Sequence, residues 1–167
     1  MATFEEELER SGYLCWTNVG VSMMPLLRQH RDIMILQKKG PQRCKKLDAV
    51  LFKRDNGQYI LHRILKVYPD GYWIVGDNCV SGEHVREDQV LAIMTGVVRN
   101  GKTIIVTDKA YLAYVHLWCD IYPVRIFVLH CRNAVMRPLY KLKKKLFGEC
   151  SLFHGENAVF ARNCKKK

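Results

Sequence analysis

Three dipeptides, Asn56-Gly57, Asp70-Gly71 and Asn100-Gly101, constrain this chain most, because each lies between short runs of β-branched and aromatic residues. Asn-Gly and Asp-Gly tolerate the positive φ of tight hairpins, so each predicts two antiparallel strands joined by a turn. The flanking runs are "DAVLFKR" (48–54), "QYILHRILKVYP" (58–69), "GYWIVGD" (71–77), "VLAIMTGVVRN" (90–100) and "KTIIV". With "DIMILQ" (32–37), and "YLCWTNVGV" read as a strand ending at Gly20, they predict a twisted, partly closed antiparallel β-domain from about Tyr13 to Val106.

Helical periodicity frames this domain. Phe4, Leu8 and Tyr13 recur near helical spacing over 3–11 while Glu5, Glu6, Glu7 and Glu9 face water. Asp108 can cap a helix through "KAYLAYVHLWCDIY", and a second helical stretch follows Pro123, with Pro138 expected to kink or end it. The expected class is therefore α+β: a β-rich domain over 1–106, a basic helical extension over 107–147, and a loosely ordered basic tail over 148–167.

Charge and cysteine usage narrow the setting. Lys and Arg number 27 against 16 acids, giving +11, and "RPLYKLKKKL" and "RNCKKK" carry no acid. Such an excess implies either a solvated charged end or an anionic neighbour. The seven cysteines never fall as Cys-x-x-Cys, which signals neither a disulfide framework nor a zinc site. No metal is expected, since His30, His84, His116, His130 and His154 share no ligand spacing, and no other cofactor is expected. The acidic N-terminus lacks a secretory layout, and Asp120, Pro123 and Arg125 interrupt the longest apolar run. A cytoplasmic location follows as the expectation.

Chemistry concentrates in three places. Ser22 opens "SMMP" at a strand-to-turn junction, His62 lies inside "QYILHRILKV", and Asp77 ends a strand in "VGDN". Strand alternation puts Ile60, His62 and Ile64 on one face and Leu61, Arg63 and Leu65 on the other. A histidine there is either a satisfied core residue or a base in an apolar cleft. A nucleophilic serine needs such a base, a group to orient it, and donors for the developing oxyanion. Arg63 is expected to pair with a local acid.

The order of these elements resembles the serine endopeptidase superfamily of type I signal peptidases and LexA-type self-cleaving repressors, over about Val19 to Val98. "GVSMMPLL" is similar to its nucleophile box. "RDIMIL" and "KKLDAVLF" are similar to two strand motifs, each lacking a glycine; in the second, Leu47 stands in its place. "LHRILKV" is similar to the base box and "GDN" to the turn that follows. A histidine rather than a lysine at the base position resembles the histidine branch. The resemblance implies Ser22 as nucleophile and His62 as base, with Asp77 the first choice to orient it and Glu83, in "GDNCVSGEHV", the second. It also implies that Gly20 stands where many members carry an oxyanion-assisting serine. The flexible thioethers of Met23 and Met24 beside Ser22 suit the lining of a shallow substrate pocket, with a plain core role for at least one of them the other reading.

The expected function is that of a small bacterial serine endopeptidase cutting a protein or leader peptide in trans. No Ala-Gly or Cys-Gly bond offers a self-cleavage site. The alternative is a weak or inactive peptidase-fold binding module that uses its basic tail on anionic lipid or nucleic acid. The expected partners are a peptide or protein substrate and, through 124–147, an anionic membrane surface, with nucleic acid the less favoured.

Overall fold

The turn dipeptides close their hairpins by two physical routes. In the computed structural model, which describes residues 3–147, Asn100 (φ 50°) and Gly101 (φ 74°) are both left-handed and join β7 (Val90–Arg99) to β8 (Lys102–Ile105). Two consecutive positive φ values match the right-handed twist of the flanking strands. Gly57 (φ 82°) does similar work between β3 (Ala49–Lys53) and β4 (Tyr59–Tyr68). Gly71 differs: it is the first residue of β5 (Gly71–Val75), opposite Tyr68, and Pro69-Asp70 makes the turn. A side chain there would meet the Val85 carbonyl at 2.4 Å, so glycine serves close approach to β6 (Gly82–Arg86) rather than a positive φ.

The remaining elements are α1 (Phe4–Ser11), β1 (Tyr13–Thr17), β2 (Ile33–Lys38), α2 (Lys109–Cys119) and α3 (Tyr122–Phe147). The protein is α+β. Among the described residues, eight strands form one antiparallel sheet, whose ladder runs in the order β1-β2-β7-β3-β4-β5-β6, with β8 on β7. β1 ends at Thr17 rather than Gly20, because Asn18 turns inward and bonds locally: its side chain donates to the Gly20 carbonyl and its N–H to that of Asp32. β6 carries no alternation signal, since only Val85 of its five residues is buried.

Alternate residues of β3 feed two cores. Ala49 and Leu51 join Leu61, Leu65 and Val75 on one face, while Val50 and Phe52 join Ile64, Tyr72, Ile74 and Val85 on the other. The first core takes in the terminal helices, through Leu8 of α1 and through Tyr111, Val115 and Cys119 of α2. Residues beyond 106 therefore begin as part of the β-domain's packing. α3 continues through Pro138 instead of stopping there; the tail predicted over 148–167 lies outside the described residues.

Gly71→Ala is expected to lower stability in urea unfolding by about 1–3 kcal/mol, through overpacking against β6. Gly57→Ala, where open space surrounds the missing side chain, should cost about 1 kcal/mol from the positive φ alone.

Candidate active site

The pleat of β4 sends neighbouring residues to opposite sides of the sheet. Ile60 and Ile64 pack on the second core, and His62 is on their side, its ring 6.2 Å from that of Phe52. Arg63 points the other way, toward Tyr111 of α2. The turn after β5 then meets His62 from the side. Gly76 has no room for a side chain: a Cβ there would lie 2.7 Å from the Ser22 carbonyl oxygen, 2.8 Å from Cys79 Sγ and 2.9 Å from His62 Nε2. Gly76 thus lies between the Ser22 carbonyl and His62 Nε2, and its missing side chain lets both approach the same turn.

Ser22 sits on the 18–32 segment, which buried Asp32 anchors. The Asp32 carboxylate accepts from the Arg28 N–H and from the guanidinium groups of Arg31 and Arg99. Burial alone would raise its pKa, but these donors hold it well below the usual carboxylate range. Arg99 also donates to the Leu26 carbonyl. A second clamp comes from Asn78, whose N–H donates to the Ser22 carbonyl (2.7 Å) and whose side-chain amide donates to the Val21 carbonyl (3.0 Å).

Burial pushes the His62 pKa down to about 4, although the nearby Glu83 carboxylate works the other way. Its imidazole is therefore neutral near pH 7, and the same burial makes it a weaker base than a free imidazole. His62 Nδ1 is buried and unpartnered, 3.7 Å from Glu83 Oε1. That gap exceeds a hydrogen bond. Arg54 holds both Glu83 oxygens, at 2.7 and 2.5 Å.

Of the two acids put forward to orient the base, Glu83 is the one on its side; the first choice, Asp77, is corrected. Arg63 Nε and Nη2 donate to the two Asp77 oxygens at 2.9 and 2.8 Å, and the Tyr114 hydroxyl donates to one of them at 3.0 Å. Strand parity explains the difference. Val75 pairs with Arg63, and Asp77, two residues on, stays on the Arg63 side. Ile74 pairs with both Ile64 and Glu83, on the His62 side. Asp77 is thus the local acid expected for Arg63, and its charge satisfies that buried guanidinium.

Of the two readings of the methionines, Met23 takes the core one and is corrected as a pocket residue, since at 1 % exposure it belongs to the main core, while Met24 is half-buried. Gly20 has φ 101°, a conformation that disfavours the serine found there in many members of the resembled superfamily. Leu47 adopts φ 77°, so the position where the resemblance expects glycine keeps a glycine-like backbone. Sequence reasoning missed Asn78 as a clamp, Gly76 as a close approach, and Arg54 as the partner of Glu83. It also missed four residues of the helical extension. Tyr114 and Trp118 of α2 bond the Asp77 side chain and carbonyl, while Arg125 and Arg132 of α3 bond the Gly76 carbonyl and the Asn78 side chain. Only the "GDN" motif pointed to any of these.

No protein-family model, curated protein or solved structure matches the chain. Among the described residues, no group of three or more His, Cys, Asp or Glu side chains is placed to hold a metal ion.

Above pH 6.5 neither the folded nor the unfolded chain protonates His62. Between pH 6.5 and about 4 only the unfolded chain does, so stability should fall as the pH drops through that window. Urea titrations at several pH values check this, and His62→Gln should flatten the slope there. Asp77→Ala, which strands a buried guanidinium, should cost about 3–5 kcal/mol.

Proposed function

We propose that this protein is a Ser-His serine endopeptidase that cuts a peptide or protein substrate in trans through an acyl-enzyme. The observation that carries this reading is the approach of both groups to Gly76: the Ser22 carbonyl oxygen and His62 Nε2 lie 2.7 and 2.9 Å from where its side chain would start, while His62 Nδ1 is 3.7 Å from a Glu83 oxygen. The motif order from "GVSMMPLL" through "LHRILKV" to "GDN" supports it, as does the resemblance of those motifs to the signal peptidase and LexA-type superfamily in its histidine branch. A signal-peptidase-like fold is part of the same proposal.

In this mechanism the Ser22 hydroxyl attacks the scissile carbonyl carbon as His62 Nε2 takes its proton. The imidazolium so formed returns that proton to the leaving amine. His62 Nδ1–H then needs an acceptor, and Glu83 supplies one by closing the 3.7 Å gap as substrate excludes water from the cleft. The Ser22 N–H serves as one oxyanion donor. With no side-chain donor from Gly20, turnover should be about 10²-fold or more below that of a site with both.

A second reading is favoured by the Arg54 contact. With both Glu83 oxygens held by Arg54 and Nδ1 unpartnered, the same fold could bind peptide without cutting it.

Fluorophosphonate labelling followed by peptide mapping separates the two. The endopeptidase reading expects modification of Ser22, absent in Ser22→Ala and slowed by about 10²-fold or more in His62→Ala. Gly76→Ala, which drives a methyl against both groups, should also abolish it. A base with a pKa near 4 should keep the labelling rate high down to about pH 5. Absence of Ser22-dependent labelling and of peptide cleavage would leave the binding module as the function.

A further inference from the structure

We infer that α2 and α3 form a membrane-surface dock, with the outward side of α3 lying in the interface of an anionic bilayer. The inward side of this pair is committed. Tyr111, Val115, Cys119 and Leu129 are buried, and Tyr114, Trp118 and Arg132 bond the Asp77-Asn78 turn.

The outward side is apolar and uncovered. Val124, Phe127, Val128, Cys131, Ala134 and Val135 are all exposed and recur at three- and four-residue spacing, one stripe along the helix. Leu117 is a second exposed apolar residue, on α2; it and Phe127 are each 68 % exposed. A contiguous apolar stripe left in water marks an interaction site.

Charge selects the occupant. Arg125 is buried and Arg132 bonds Asn78, but beyond them the α3 sequence still carries Arg137, Lys141, Lys143, Lys144 and Lys145 and no acid. An apolar stripe on a helix with an uncompensated basic excess suits anionic headgroups above acyl chains. No single helix among the described residues is long and apolar enough to cross a membrane, and α2 and α3 meet at a 77° bend. Their inward faces carry polar side chains bonded to the β-domain, so this pair lies on a bilayer rather than spanning it.

The dock and the candidate site share these helices. Arg132 reaches Asn78, which in turn holds the Ser22 carbonyl. Docking therefore bears on the outer face of the helix whose inner face braces the turn beside Ser22 and His62. The dock itself stands whether or not the protein is a peptidase.

Flotation of the full chain with vesicles tests it. Vesicles of phosphatidylcholine with phosphatidylglycerol should carry the protein up, and pure phosphatidylcholine or high salt should weaken this about ten-fold or more. Val124→Asp with Phe127→Asp should weaken it by at least about ten-fold while far-UV circular dichroism is unchanged. Leu117→Asp with Val135→Asp provides an independent pair on both helices. Ser22→Ala should float like the wild type, which separates this outcome from the peptidase reading. Failure to float on anionic vesicles, or equal flotation of both double variants, would overturn the dock. So would a wild-type dimer that the same substitutions turn into monomer without a vesicle-bound form, since a second copy would then cover the stripe.

Discussion

The buried ion pair between Arg63 and Asp77 is the contact on which the candidate site depends. Both side chains are fully inaccessible. Burial opposes the guanidinium charge, but the Asp77 carboxylate outweighs it and raises the Arg63 pKa further. The pair is also fully connected, since Arg63 donates to the Leu47 carbonyl and Tyr111 hydroxyl as well, and Tyr114 donates to Asp77. Such a pair adds little net stability over apolar packing, yet losing one member strands the other's charge. Its role here is geometric: it fixes the turn after β5, and with it Gly76 and Asn78, against β4.

From that turn the constraints spread in two directions. Toward Ser22, Asn78 holds the carbonyls of Val21 and Ser22, and Asp32 holds the far end of the same segment through Arg31 and Arg99. Toward the C-terminus, Trp118 and Arg125 bond the Asp77 and Gly76 carbonyls. The helices therefore buttress the site, and their sequence gave little sign of it. Tyr114 and Trp118 read as ordinary members of an apolar helix until the turn they touch is in place.

Much of the β-domain was legible because hairpins are local. Asn100-Gly101 needs only its own two residues to set a positive φ at both, and the strands beside it follow. β6 was not legible, because an edge strand with polar Glu83, His84 and Arg86 buries one residue and leaves no alternation. The preference for Asp77 over Glu83 failed on parity. Strand alternation put His62 and Arg63 on opposite faces, but carrying that parity across to Asp77 and Glu83 needs the register of β5 against both β4 and β6. Gly71 shows the same limit, since its dipeptide signalled a turn while its need for glycine comes from Val85 on the next strand.

The sequence alone determined the class of this protein, its hairpins, the two faces of β4 and the identities of the serine, histidine and acids, because these follow from side-chain chemistry and near-neighbour backbone preference. Only the tertiary structure decided which acid faces His62 and which of the two methionines is core. It alone showed that the basic helices brace the turn beneath the site while leaving an apolar stripe in water. Those outcomes depend on strand register and on burial by residues tens of positions away, which local preference does not encode.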